Sequence, residues 1–153
     1  MARKSSAHPR ASEGYSLVEL MAVLACLTIL VTAAAPSVMH WQKQWALWES
    51  ALTLENSLQW GRMHAISANT PIMFEIDAGG KKYYWTDPQS RNRYTRTIRQ
   101  LSKGIRIASC PKRPLRFYQH GNAAPAGTYV IEGESGSYSV VVSPGGRIRI
   151  KRN

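Results

Sequence analysis

Apolar residues follow three different rhythms along this chain. Between Glu19 and Lys43 no formally charged residue occurs, and Leu20 to Met39 (LMAVLACLTILVTAAAPSVM) forms an apolar run of 20 residues. That length is enough to cross the hydrocarbon core of a bilayer as a helix. From Trp41 the rhythm turns helical. Trp41, Trp45, Trp48 and Leu52 fall at i, i+4, i+7 and i+11 on one face, and Leu47, Ala51, Leu54 and Leu58 make a second stripe on an adjacent face. Trp41 is the candidate for an interfacial aromatic belt, whereas Trp45 and Trp48 are expected to pack against a globular domain. The helix should stop around Ala68-Asn69-Thr70-Pro71, because proline disfavours helix in the residue before it.

After Pro71 the period becomes two. Ile72, Phe74 and Ile76 alternate with Met73, Glu75 and Asp77; Ala78-Gly79-Gly80 is a turn; and Tyr83-Tyr84-Trp85 returns as the hairpin partner. Residues 87–103 read as a polar loop with one short helical turn. Further strands are predicted at Ile105 and Ile107, Leu115 to Tyr118, Thr128 to Glu132, Tyr138 to Ser143 and Arg147 to Lys151. A Gly/Ala/Pro-rich loop from Gly121 to Gly127 and a Pro144-Gly145-Gly146 turn interrupt them. The expected fold class is α+β, a long amino-terminal helix packed on a small antiparallel sheet domain. The expected segments are a leader at 1–14, a membrane helix at 15–39, its extracytoplasmic continuation at 40–69 and the β domain at 70–153.

Charge and composition narrow the functions available. Among 153 residues, 20 Lys plus Arg face 9 Asp plus Glu, a formal charge of +11 that calls for an anionic partner. Two cysteines make neither a disulfide scaffold nor a four-ligand zinc site, and His40, His64 and His120 stand singly. No His-Glu-x-x-His, Cys-x-x-Cys, Gly-x-Ser-x-Gly or phosphate-loop string occurs. The expectation is therefore a protein with no catalytic site, no metal and no cofactor. Arg3, Lys4 and Arg10 precede the apolar run, an arrangement that keeps that end in the cytoplasm and exports the remainder. An ordinary secretory signal peptide, cut near Ala33-Ala34-Ala35, is the alternative on hydropathy alone.

Glu19 separates these two readings. A carboxylate near the start of a membrane segment costs a few kcal/mol on insertion scales (roughly 2.5–3.5 at the centre) unless it is paired, so a plain anchor has no reason to keep one. The string Gly14-Tyr15-Ser16-Leu17-Val18-Glu19-Leu20-Met21 resembles the class III signal of type IV pilins and pseudopilins. The resemblance implies cleavage by a prepilin peptidase between Gly14 and Tyr15 and methylation of the new amino terminus at Tyr15. It also places an assembly glutamate at Glu19 and a helix-bending proline at Pro36. Tyr15 stands where the family usually has phenylalanine, and Glu13 where a basic residue is commoner. In a filament of stacked helices, Glu19 would pair with the ammonium of a neighbour's first residue, so that neither charge is buried alone.

The carboxy-terminal half, over roughly residues 105–150, resembles the GspH/FimT/ComGD-type minor pseudopilins through a Gly-Asn loop, AGTYVIEG and YSVVVSPGGRIRI. Removal of the leader would leave 17 basic and 8 acidic residues, a net of +9, almost all displayed beyond the membrane segment. One basic cluster is Arg91, Arg93, Arg96, Arg99 and Lys103, with Tyr94 among them; the other is Arg147, Arg149, Lys151 and Arg152. On a strand, Ile148 and Ile150 face the core while Arg147, Arg149 and Lys151 form a row about 6.8 Å apart, twice the rise per residue. That is close to twice the phosphate rise of about 3.4 Å per strand of DNA. The Gly146-Arg147-Ile148-Arg149 string also resembles the DNA-contacting tail motif of FimT-type minor pilins, and so nominates Arg147 and Arg149. The same row reads equally as a charged guard on an edge strand. Tyr83, Tyr84 and Trp85 beside Lys81 and Lys82 read as strand-core aromatics or as a base-stacking surface.

These features favour a minor pilin or pseudopilin of a DNA-uptake (competence) machine, anchored in the cytoplasmic membrane with its carboxy-terminal domain outside. Its partners would be the prepilin peptidase, other pilin or pseudopilin subunits, the membrane and DNA. A purely structural pseudopilin of a type II secretion system is the alternative, and an adhesive pilus subunit a third.

Overall fold

The computed structural model describes residues 16–90 and 92–153, and within the helix it describes the backbone alone at residues 34–36, 39 and 40. One helix, α1, runs over Leu17–Ser67, so the helix does continue beyond Pro36 as the periodicity predicts. The chain divides into two compact units, Met1–Val38 and Met39–Asn153.

In the first unit the helix is apolar beyond Glu19, and its described side chains are exposed, from Leu17 and Val18 to Leu30 and Val31. Its two threonines bond back into the helix: Thr28 Oγ1 donates to Ala25 O at 2.8 Å and Thr32 Oγ1 to Thr28 O at 3.0 Å. Hydroxyls satisfied within their own helix do not need water, which leaves Glu19 as the charged group of this segment. Among the described residues no helix is long and apolar enough to cross a membrane.

In the second unit α1 ends where the sequence predicts. Ala68 N–H still bonds His64 O, but Asn69 adopts a left-handed φ of 49° and Pro71 follows. Asparagine tolerates that conformation better than most residues and proline cannot extend the helix, so the two together form a stop. The remaining chain makes nine strands among the described residues: β1 (Ile72–Ile76), β2 (Lys82–Thr86), β3 (Arg99–Gln100), β4 (Arg106–Ser109), β5 (Leu115–Phe117), β6 (Ala123–Ala124), β7 (Gly127–Gly133), β8 (Gly136–Val142) and β9 (Ile148–Arg152). A single 3-10 turn, Thr95–Thr97, lies in the segment predicted to be a polar loop with one helical turn, and β3 follows it.

The domain after the helix is antiparallel, as the α+β class expected from the sequence requires, and its strands form two sheets. One has the order β3-β2-β1-β5-β6 and the other β4-β7-β8-β9. The sheets meet at the β1–β2 turn, where Ile107 N–H of β4 donates to Gly80 O at 2.8 Å. Gly80 has φ +64°, and a Cβ there would strike the Ile107 carbonyl, so this approach requires glycine. Local periodicity predicts strands but carries no information on which strands share a ladder, which is why the split was not legible.

The core forms between the two sheets and one stripe of α1. Leu47, Ala51, Leu54, Leu58 and Ala65 are buried against Phe74, Tyr83, Trp85, Phe117 and Tyr129. Phe74 sits at the centre, with ring centroids 5.1 Å from Trp85, 5.5 Å from Tyr83 and 5.7 Å from Tyr129. Trp85 reaches the helix itself, because its Nε1–H donates to Ser57 Oγ at 3.1 Å. Its ring occupies the space that any side chain at Gly61 would need. The base-stacking reading of the aromatic strand is therefore corrected for Tyr83 and Trp85, which are fully buried. Trp45 is corrected too: it is 53% exposed and meets the edge of Trp41, while Trp48 packs on Tyr138 at 5.3 Å.

Candidate functional site

The sequence-predicted residues lie at two ends of the chain. Gly14 and Tyr15 fall outside the described residues. Glu19 is exposed in the first turn of α1, where the unsatisfied backbone N–H groups and the helix dipole favour a carboxylate. Pro36 lies inside the α1 range, in a stretch described by its backbone only.

At the other end, β9 is the edge strand of the four-stranded sheet and pairs with β8, with Arg149 opposite Val141 and Lys151 opposite Ser139. Ile148 and Ile150 pack against the core, and Arg147, Arg149 and Lys151 are exposed on the alternate side. Arg152 does not join that row. By strand alternation it shares the side of Ile148 and Ile150, and it lines a small polar cavity with Gln44 and Tyr138.

The turn that launches β9 is fixed to the helix by two glycines and an arginine. Ser143 N–H donates to Arg147 O at 2.9 Å, and Arg147 N–H donates to Ser143 Oγ at 3.1 Å. Gly146, at φ +77°, approaches Gly121 O so closely that a Cβ would collide with it. Arg62 Nε–H donates to that same carbonyl at 3.0 Å. Arg62 therefore ties the β5–β6 loop to α1, and the loop in turn seats Gly146 one residue before Arg147. Nothing in the local sequence marked Arg62, whose partner is 59 positions away.

Charge pairing leaves the β9 row free. The ion pairs among the described residues are Lys43–Glu134 at 2.6 Å and Arg106–Glu132 at 3.4 Å. The Lys43 ammonium, which donates a hydrogen bond to Glu134, holds that exposed carboxyl below its usual range. Asp87 is likewise held low, chiefly by the Gln89 N–H and then by the Ser90 hydroxyl. The basic row thus faces solvent with no carboxylate bonded to it, a surface suited to phosphate or to an acidic partner.

The described members of the second predicted cluster have different neighbours. Arg93 lies over the Tyr84 ring at 4.4 Å. Arg96 and Arg99 line a groove with Trp60 and Asn56, while Lys103 lines a separate cavity beside Lys43. Arg91 falls outside the described residues. Trp60, which belongs to neither predicted helical stripe, is 42% exposed; its spacing of four from His64 was the only signal available. Among the described residues no group of acidic, His or Cys side chains is placed to hold a metal.

Residues 50–146 match the family model described as type II transport protein GspH, and residues 9–35 match the prokaryotic N-terminal methylation motif. The fold is similar to that of the type IV minor pilin FimU of Pseudomonas aeruginosa, with TM-score 0.61 and 19% identity over 72% of this chain and 92% of that one. It is also similar to the minor pseudopilin EpsH from the type 2 secretion system of Vibrio cholerae, with TM-score 0.56 and 15% identity over 69% and 96% of the two chains. No curated protein gives a significant match. The family model spans more than half of the chain, and the methylation motif covers the segment that carries Gly14, Tyr15 and Glu19. The chain belongs to the GspH family and is a minor pilin or pseudopilin of the type IV/GspH kind.

Proposed function

We propose that this protein is a membrane-anchored filament subunit whose edge strand β9 holds DNA by its phosphates in a competence pilus. The methylation motif implies processing by a prepilin peptidase and assembly with other subunits. Within that frame, cleavage falls between Gly14 and Tyr15, Tyr15 is methylated, Glu19 directs assembly and Pro36 bends the helix. The segment at 15–39 anchors the chain, with the domain that follows it outside the cytoplasm. The observation that carries the DNA reading is the row of Arg147, just before the edge strand, and Arg149 and Lys151 on it, all exposed and, among the described residues, bonded to no carboxylate. Arg152 adds charge at the strand end. Contacts of this kind track the phosphate backbone with little sequence preference.

The test is duplex DNA binding by the full chain in neutral detergent micelles over a salt series, compared with the Arg147→Ala, Arg149→Ala double variant. The double variant is expected to lose affinity and about two units of the log–log salt slope. Equal slopes for the two proteins would remove the phosphate row from the function. A second reading, a structural pseudopilin of a type II secretion system, is favoured by the description of the matching family. In that case β9 meets acidic neighbours in the assembly, and DNA is ignored even at low salt.

A further inference from the structure

We propose that the groove between α1 and the Thr95–Arg99 segment is a second binding site, one that takes a single strand of nucleic acid by stacking a base on Trp60 and neutralising phosphates with Arg96 and Arg99. The site extends the nucleic-acid reading above, on which it rests for the class of ligand. It lies beside β3, the edge of the five-stranded sheet, whereas the phosphate row lies on the edge of the other sheet.

The groove is open and has a volume of about 450 Å³. Trp60 is 42% exposed, yet it is held in place from behind. His64 stacks nearly parallel to it at 4.9 Å, Trp85 meets it at 6.2 Å, and Tyr94 braces His64 edge-on at 5.5 Å. An aromatic surface fixed in this way loses little side-chain freedom when a base settles on it. Two of the three hydroxyls that line it are already engaged: Ser57 Oγ accepts from Trp85 Nε1–H, and Thr97 Oγ1 donates to Tyr94 O, while the third belongs to Thr53. The remaining polar groups on the walls include the Arg96 and Arg99 guanidiniums and the Asn56 amide. Among the described residues neither arginine makes an ion pair, and no carboxylate lines the groove. Glu49 lies beyond Arg99, in the adjoining smaller cavity.

An indole beside two unpaired guanidiniums matches a base joined to its phosphates. A duplex keeps its base faces stacked internally, so the ligand is a single strand. An acidic peptide would use the guanidiniums and leave the indole idle.

The test is fluorescence anisotropy of a short labelled oligo-dT with the full chain in neutral detergent micelles, across a potassium chloride series. Trp60→Leu, which keeps an apolar side chain beside Trp85, is expected to weaken binding about tenfold at fixed salt without changing the slope. Arg96→Ala with Arg99→Ala is expected to reduce the slope by about 1.4, two single-strand phosphate contacts. Binding unchanged in both variants overturns the site. So does displacement of the oligonucleotide by poly-glutamate equally well from the wild type and from Trp60→Leu, since the groove would then be a simple anion site. The Arg147→Ala, Arg149→Ala variant separates the two readings. If it loses duplex binding while the groove variants behave as wild type, the groove fails and the tail stands. If it behaves as wild type while the groove variants lose oligo-dT, the tail fails and the groove stands.

Discussion

Leu47, Ala51, Leu54 and Leu58 are at most 2% exposed, whereas Trp41, Trp45, Trp48 and Leu52, the stripe on the next face of the same helix, remain 37–60% exposed. Both stripes are apolar, and the exposed one carries the larger side chains. Hydrophobicity alone would bury the tryptophans first, so side-chain volume made the choice. The buried stripe extends through Gly61 and Ala65, and the glycine lets the Trp85 ring lie directly on the helix backbone. A row of indoles at that place would hold both sheets away from α1 and leave voids around every ring. The tryptophan stripe is instead left as outer surface, with Trp48 resting on Tyr138 at the margin.

The comparison is broken most directly at its centre. Leu54→Ala removes a fully buried side chain from the packed stripe and is expected to cost about 2–5 kcal/mol in chemical unfolding. A loss below about 1 kcal/mol would mean that the sheets do not depend on that face. Gly61→Ala tests the volume argument, since the new methyl must displace the Trp85 indole. Overpacking of about 1–3 kcal/mol should exceed the helix-propensity gain of up to about 1 kcal/mol. A more stable variant would refute the steric account.

Tyr83 sharpens the contrast from the sheet side. Its hydroxyl is buried and has no hydrogen-bond partner among the described residues, and burial pushes the phenol up to about 12 against the opposing charge of Arg99. Tyr83→Phe should therefore be neutral or stabilising by about 1 kcal/mol, because the unsatisfied group disappears. The sign of the pH effect follows from the raised value. The contribution is intact below the ordinary phenol value of 10.0 and is lost as pH rises towards about 12, while the unfolded chain ionises first. Tyr83→Phe should make that fall in unfolding free energy shallower. Part of the fall should remain, because burial also raises the Tyr129 phenol. The smallest effect belongs to the outer stripe. Trp41→Ala should change the stability of the isolated subunit by no more than about 0.5 kcal/mol. A larger loss would show that the exposed stripe is part of the subunit's own core.

Much of the candidate site could be read in the sequence because it depends on alternation. Ile148 and Ile150 inward with Arg147, Arg149 and Lys151 outward is a consequence of the strand period, and it holds wherever β9 pairs. Arg152 obeys the same rule and so leaves the row. The Arg91 to Lys103 run shows the opposite case. Its described residues follow a 3-10 turn and a short strand, so residues close in sequence acquired different neighbours. Arg93 went to Tyr84, and Arg96 and Arg99 line the groove that also holds Trp60. Arg62 was invisible because its role is to bond a loop carbonyl brought to it by β5 and β6.

The sequence by itself determined the uncharged run after Glu19, the register of Gly14, Glu19 and Pro36, the helix as far as its Asn69–Pro71 stop, the first hairpin and the two-sided last strand. Each is a local matter, fixed by backbone geometry and the period of apolar residues within a few turns of chain. Tertiary structure decided which helical stripe is buried, how the nine described strands divide between two sheets, and which arginines share a groove with Trp60 or bond Gly121. Those outcomes depend on the volumes and hydrogen-bonding needs of groups that are far apart in sequence, and only the closed fold brings them together.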